Sequence, residues 1–126
     1  MLDTHVAIWA LADDDRLSST ARRLLGDGEN DIWISAASIW EIAIKFALAR
    51  SDRPPFSGSD ALRHFEEAGF RLLQVTPRHA AAIDRLPRLH ADPFDRLLVA
   101  QALSEPMTLV SADPKVAAYE ATFIRV

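Results

Sequence analysis

The chain has 126 residues and a net charge of −4 at neutral pH, and 49% of its residues are hydrophobic. This length predicts a single domain over residues 1–126, and the hydrophobic share excludes a disordered chain. The absence of cysteine excludes disulfides, thiolate nucleophiles and cysteine-based zinc sites. Because the sequence shows neither a membrane-spanning apolar run nor a signal peptide, we expect a cytoplasmic protein that does not contact a membrane.

Short apolar segments alternate with helical patterns along the chain. Met1–Leu2 is predicted as the stub of a first strand, followed by strands at 32–34, 71–75, 107–110 and 122–126. Helical segments are predicted at 6–12 (helical or turn-like), 17–25, 36–49, 59–68, 76–86 and 92–103, with a short helical turn after Asp113-Pro114. Ser18 or Ser19 is expected to cap the second of these and Ser59 the fourth. This alternation favours an α/β fold, with a mostly parallel central sheet flanked by helices.

The start of the helix at 92–103 carries two carboxylates in its first turn. Asp92 is a suitable N-cap, and Pro93 is a suitable first helical residue because its missing N–H costs nothing there. Capping explains Asp92, but it does not explain Asp95 equally well. A helix N-terminus that presents an additional acid is a reasonable place to hold a metal ion.

Carboxylates occur at four strand–helix junctions, and they belong to Asp3, Glu41, Asp95 and Asp113. Functional groups gather at the carboxyl ends of the strands in parallel sheets, so the four could converge on one edge. Oxygen-only ligands suit hard cations such as Mg²⁺ or Mn²⁺. The pattern is therefore compatible with a site for one or two divalent ions.

Each acid also has a purely structural explanation. Asp3 and Asp113 are typical helix caps. Glu41 could complete a capping box with Ser38 or pair with Lys45 one turn later. Caps cluster at strand–helix junctions for structural reasons alone, so the spacing leaves both interpretations open.

Several neighbouring side chains could support the acids. Thr4, Ser38 and Ser111 carry hydroxyl groups that could hydrogen-bond the carboxylates or metal-bound water. His90 could act on a proton or a phosphate, although a histidine just before a helix is more often structural.

Four sequence blocks surround the acids and occur in a fixed order. They are LDTH at 2–5, SAASIWEIAIK at 35–45, HADPFDRLLVAQA at 90–102 and LVSAD at 109–113. With these blocks the sequence resembles the PIN-domain nucleases, and within them the VapC-like toxins of type II toxin–antitoxin pairs. The family's acidic quartet, which serves both catalysis and metal binding, carries over to Asp3, Glu41, Asp95 and Asp113. The first strand is shorter here than family members generally have.

The resemblance implies a three-layer PIN-like fold and an endoribonuclease that depends on Mg²⁺ or Mn²⁺. Such an enzyme would hydrolyse RNA phosphodiester bonds with metal-activated water. The resemblance also implies a homodimer and a cognate VapB-like antitoxin that blocks the site. Arg96 and His90 are possible RNA contacts, although Arg96 could instead form an ion pair with Asp92 or Asp95.

Two other functions are compatible with parts of the sequence. One is a catalytically silent PIN-like binding module that acts through contacts with its antitoxin or with RNA, although the intact quartet argues against it. The other is a receiver-type phosphotransfer domain, which would require a lysine late in the chain. Lys115 lies only two residues after Asp113, which is the wrong context for that role.

Overall fold

The computed structural model describes residues 1–119 and 123–126. Its helices are α1 (Thr4–Ala12), α2 (Ser19–Gly26), α3 (Ala36–Ala47), α4 (Gly58–Glu67), α5 (Pro77–Ala82), α6 (Pro93–Ser104) and α7 (Pro114–Ala117). Its strands are β1 (Trp33–Ser35), β2 (Arg71–Leu73), β3 (Leu109–Ser111) and β4 (Phe123–Arg125). Within the described ranges, no helix is both long and apolar enough to cross a membrane.

The strands form a parallel sheet whose centre is a single residue. β1 pairs with β2, β3 pairs with β4, and Leu2 bridges Ile34 of β1 and Val110 of β3. The spatial order is therefore β2-β1-Leu2-β3-β4, and every one of these pairings is parallel. The first strand is this short because Asp3, the next residue, already caps α1. The predicted α/β class and parallel sheet are confirmed.

Two hydrophobic clusters cover the opposite faces of this sheet. Leu109 belongs to a cluster with Leu98 and Val99 of α6, whereas its neighbour Val110 belongs to a cluster with Phe65 of α4. Met1 and Leu2 divide between the same two clusters. Successive side chains of a strand point to opposite faces. The alternation therefore confirms a three-layer arrangement of helices, sheet and helices.

Several predicted boundaries are wrong by a few residues. The helix predicted at 36–49 ends at Ala47, and Ala49 adopts a left-handed conformation with φ of 49°. The predicted helix at 76–86 gives way to a 3₁₀ turn at Ile83–Arg85. The strand predicted at 71–75 ends at Leu73. For the strand predicted at 122–126, residue 122 lies outside the described residues.

The caps agree with the sequence for α2 but not for α4. Ser18 caps α2 and accepts a hydrogen bond from the backbone N–H of Ala21 at 3.2 Å. In α4 the cap is Ser57 rather than Ser59, and its hydroxyl accepts from the backbone N–H of Asp60. The helix therefore begins at Gly58, one residue before the predicted cap.

Gly58 allows α4 to pack closely on α3. A Cβ at this position would lie 2.6 Å from the Cβ of Ala43, which is shorter than any ordinary carbon–carbon contact. We therefore expect Gly58→Ala to lower the free energy of unfolding by about 1–2 kcal/mol through overpacking. Urea denaturation measures this change. The matched control is Gly28→Ala, because a Cβ there meets nothing within 4 Å. Equal losses in both variants would contradict this account of the helix contact.

Candidate active site

Asp3 is a buried acid that also caps a helix. The residue is only 4% exposed, and its Oδ1 accepts a hydrogen bond from the backbone N–H of Val6 at 2.8 Å. Burial raises the pKa of Asp3, while a hydrogen bond from Ser111 opposes this shift and the charge of Glu41 adds to it. Capping of α1, one of the two interpretations of Asp3, is therefore confirmed. Capping alone does not require the burial of Asp3 beside a second carboxylate, Glu41, which disfavours the ionised form of Asp3.

Glu41 is 1% exposed and projects from the second turn of α3. Thr4 Oγ1 donates to Glu41 Oε2 at 2.5 Å and lies 3.0 Å from Ser38 Oγ, so Ser38 reaches the acid only through Thr4. Lys45 forms an ion pair with the other carboxylate oxygen, as the spacing of four residues predicts.

The prediction of a capping box between Ser38 and Glu41 is wrong. The cap of α3 is Ser35, whose hydroxyl accepts from the backbone N–H of Ala37, so Ser38 already lies in the first turn of the helix. Glu41 is consequently too far along the helix to reach back to a capping residue. Its buried carboxylate oxygens instead accept a hydrogen bond from Thr4 and form an ion pair with Lys45.

The two acids at the start of α6 have different surroundings. Asp92 caps the helix and accepts hydrogen bonds from the backbone N–H groups of Phe94 at 2.8 Å and Asp95 at 3.3 Å. Its predicted role is confirmed. Burial raises the pKa of Asp95 to about 7, and the negative charge of Asp92 adds to this shift. Asp95 is thus the acid of the pair whose charged form lacks sufficient stabilisation.

His90 connects two of the acids. Its Nε2 lies 2.9 Å from Asp95 Oδ2 and 3.1 Å from Asp113 Oδ2. The other ring nitrogen, Nδ1, accepts a hydrogen bond from the backbone N–H of Asp92 at 3.1 Å. This pattern assigns the ring proton to Nε2, because a nitrogen that accepts a hydrogen bond does not carry a proton. His90 therefore donates towards the carboxylates.

Asp113 lies two residues after β3 and caps α7. Its Oδ1 accepts from the backbone N–H of Lys115 at 2.8 Å, and its own backbone N–H donates to Ser111 Oγ at 3.0 Å. Slight burial would raise the pKa of Asp113, but the Lys115 N–H and His90 outweigh it and hold the pKa below its ordinary value. Ser111 therefore touches both Asp3 and Asp113, and joins the two sides of the site.

The four acids lie near one edge of the sheet, but they are not equally close. Among residues 1–119 and 123–126, potential ligand atoms of His90, Asp95 and Asp113 all lie within 4.8 Å of one another. Asp3 and Glu41 are outside that group, yet the charges of both raise the pKa of Asp95. Asp3, Glu41 and Asp95 thus lie close enough for their like charges to repel, and His90 joins Asp113 to Asp95.

Arg96 does not form either of the ion pairs considered for it. Its Nη2 instead donates to the backbone carbonyl of Ile83 at 3.5 Å, a long hydrogen bond. The expectation of an ion pair with Asp92 or Asp95 is therefore wrong, because the side chain runs back along α6 towards the 3₁₀ turn that follows α5.

The residues present fit a divalent cation. Burial and mutual repulsion raise the pKa values of Asp3 and Asp95, so a positive charge among them would favour their ionised forms. Carboxylate oxygens are the ligands that Mg²⁺ and Mn²⁺ prefer. The ammonium of Lys45 and the ring N–H of His90 each contact only part of the cluster.

Comparison with known proteins identifies the family. The PIN-domain family model matches residues 1–121. The chain belongs to the PIN-domain family. This PIN domain is 32% identical over 119 residues to Ribonuclease VapC22 of Mycobacterium tuberculosis, a match that spans 90% of this chain and 85% of the relative. It is accordingly a VapC-like PIN domain, as the four sequence blocks predict.

A solved structure has the same fold. The crystal structure of VapBC2 from Rickettsia felis, bound to a DNA fragment from their promoter, superposes on this PIN domain with a TM-score of 0.72. The match covers 100% of this chain and 97% of that chain, at 16% sequence identity. The likeness confirms the three-layer PIN-like fold.

Proposed function

We propose that this VapC-like PIN domain is an endoribonuclease that depends on Mg²⁺ or Mn²⁺ and acts as the toxin of a toxin–antitoxin pair. The proposal is carried by the convergence of Asp3, Glu41, Asp95 and Asp113 from four parts of the chain on one edge of the sheet. It is supported by the similarity to a relative named as a ribonuclease. One or two ions held by these acids would complete the site.

Asp3, Asp95 and Asp113 are the proposed principal ligands, with Glu41 as the fourth acid. When bound, Mg²⁺ or Mn²⁺ would lower the pKa of an attacking water and stabilise negative charge on the scissile phosphate. The protein contributes fixed geometry. Backbone N–H groups hold Asp3 and Asp113 at their caps, and Thr4 and Lys45 hold Glu41. Carboxylates fixed in this way need little reorganisation before they bind a cation.

The proposed partners follow from the family. We propose an RNA substrate, a homodimer and a cognate VapB-like antitoxin that covers the site. The antitoxin is supported by the VapBC2 structure, in which the similar chain is part of a complex with its partner.

Cleavage of RNA by the purified protein tests the proposal. We expect hydrolysis of labelled RNA that stops with EDTA and returns with millimolar Mn²⁺. Asp3→Asn, purified in parallel, should lose at least about 100-fold of this activity, because metal ions contribute several kcal/mol to such reactions. Asparagine caps a helix as well as aspartate does, so the fold is retained.

Two results would contradict the proposal. Absence of cleavage with Mn²⁺ would favour a catalytically silent module that acts through antitoxin or RNA contacts. Equal activity in Asp3→Asn would show that the quartet is not the site, or that a host nuclease is responsible.

A further inference from the structure

We propose that a pocket beside the acids holds an RNA backbone phosphate that neighbours the scissile one. This basic pocket has a volume of about 520 Å³ and is lined by Arg88, Leu89, His90, Ala91, Arg96 and Lys115. The inference deepens the proposed ribonuclease function and rests on it for the identity of the ligand.

The basic pocket shares a wall with the acidic site. His90 lines it, and Nε2 of the same ring lies within 3.1 Å of both Asp95 Oδ2 and Asp113 Oδ2. Arg96 directly follows Asp95 on α6, and Lys115 follows Asp113 at the start of α7. A polynucleotide with one phosphate at the acids would therefore have a neighbouring phosphate within reach of the pocket.

The cations of the pocket are not used to hold the fold together. Among the described residues, no ion pair includes Arg88, Arg96 or Lys115, whereas Lys45 on the other side of the acids is paired with Glu41. Within the described ranges, the guanidinium of Arg96 makes only the long hydrogen bond from Nη2 to Ile83. Guanidinium and ammonium groups bind phosphate oxygens well, and the exposed side chains of Arg88 and Lys115 are available for one.

Charge and shape favour a phosphate over a base in this pocket. The whole chain carries a charge of −4, which includes the four carboxylates of the site, so the enzyme requires local positive charge to approach a polyanion. Bases are usually held by stacking on aromatic rings. Apart from His90, whose ring is engaged with the acids, the described residues that line the pocket include no aromatic side chain. The group that fits the remaining lining is an anion.

Binding of RNA to a double variant tests the pocket. We expect Arg88→Ala/Lys115→Ala to bind a labelled single-stranded RNA of mixed sequence about tenfold more weakly than the wild type. Loss of one phosphate contact should also lower the slope of log Kd against log salt concentration by about 0.7. Fluorescence anisotropy in EDTA measures both without cleavage. The matched control is Arg23→Ala/Arg78→Ala, which removes two exposed arginines that line none of this pocket.

A neutral linkage identifies the phosphate. RNAs that carry one methylphosphonate each, moved stepwise along the strand, should reveal one linkage whose neutralisation weakens wild-type binding about tenfold but leaves binding by the double variant unchanged. If every linkage affects both proteins equally, or if both double variants bind like the wild type, the pocket is not a phosphate site. Failure of the wild type to bind RNA would overturn it as well.

The two proposals fail separately. Pocket-dependent binding without any cleavage would contradict the ribonuclease and leave the phosphate site standing. Cleavage with unchanged KM and salt dependence in Arg88→Ala/Lys115→Ala would contradict the phosphate site and leave the ribonuclease standing.

Discussion

Replacing Asp95 by asparagine is expected to lower the rate of RNA cleavage at least about 1000-fold, because a proposed metal ligand is lost. The same change at Asp92 should lower the rate less than about threefold, because asparagine retains the helix cap. The two acids lie three residues apart at one helix start, but only Asp95 combines burial, a raised pKa and contact with His90. Initial rates with labelled RNA at saturating Mn²⁺ measure the difference.

The comparison between these variants removes the usual ambiguity of a loss of activity. Both changes replace one charge with an amide of the same size in the same helix turn, so a general effect on α6 would appear in both. A full loss in Asp92→Asn, or full activity in Asp95→Asn, would reverse the roles that the structure gives the two residues.

The substitution that abolishes activity is also expected to stabilise the protein. In the absence of divalent metal at pH 8, Asp95→Asn should raise the free energy of unfolding by about 2–3 kcal/mol. The wild-type carboxylate is ionised at that pH although burial and the charges of neighbouring acids oppose ionisation. The gain in the free energy of unfolding stays below the value that corresponds to the full pKa shift, because Asp95 is partly exposed and the substitution also removes its interaction with His90.

The gain should depend on pH in a defined direction. The pKa of Asp95 rises from 3.8 in the unfolded chain to about 7 in the folded protein. Between these values the folded protein retains a proton that the unfolded chain releases, so the wild type loses stability as the pH rises. The penalty is absent below about pH 4, grows up to about pH 7 and is constant above it.

Urea denaturation in EDTA at several pH values measures this dependence. The advantage of Asp95→Asn should disappear near pH 4. A control at the exposed Asp15, Asp15→Asn, should show no comparable increase between pH 4 and pH 8. A wild type that is more stable than Asp95→Asn at pH 8 without metal would contradict the electrostatic description of the site.

Local rules of the sequence predict the start of α6 well. The cap at Asp92 and the proline that follows it depend only on adjacent residues, and the structure confirms both. The start of α4 depends on more than adjacent residues. Ser57 and Ser59 are both suitable caps by residue type. In the structure Ser57 is the cap, and Gly58, the next residue, lies close to Ala43 on α3.

The environment of the acids could be predicted only in part. Their positions at strand–helix junctions follow from the alternation of elements, and the pair between Glu41 and Lys45 follows from helix spacing. The bridge that His90 forms between Asp95 and Asp113 could not be predicted in this way. Asp113 is 23 residues away from His90 in the sequence, and only the folding of the sheet brings the two together. For the same reason, the contact of Arg96 with Ile83 gives no signal in the sequence.

The central claim is that the acidic quartet holds a divalent cation, and titration with Mn²⁺ followed by electron paramagnetic resonance tests it most directly. The signal of free Mn²⁺ should decrease as the wild type binds one or two ions at neutral pH. Asp95→Asn should bind at least about tenfold more weakly, and Asp92→Asn should bind like the wild type. Equal binding by all three proteins, or RNA cleavage by a wild type that binds no Mn²⁺, would contradict the claim.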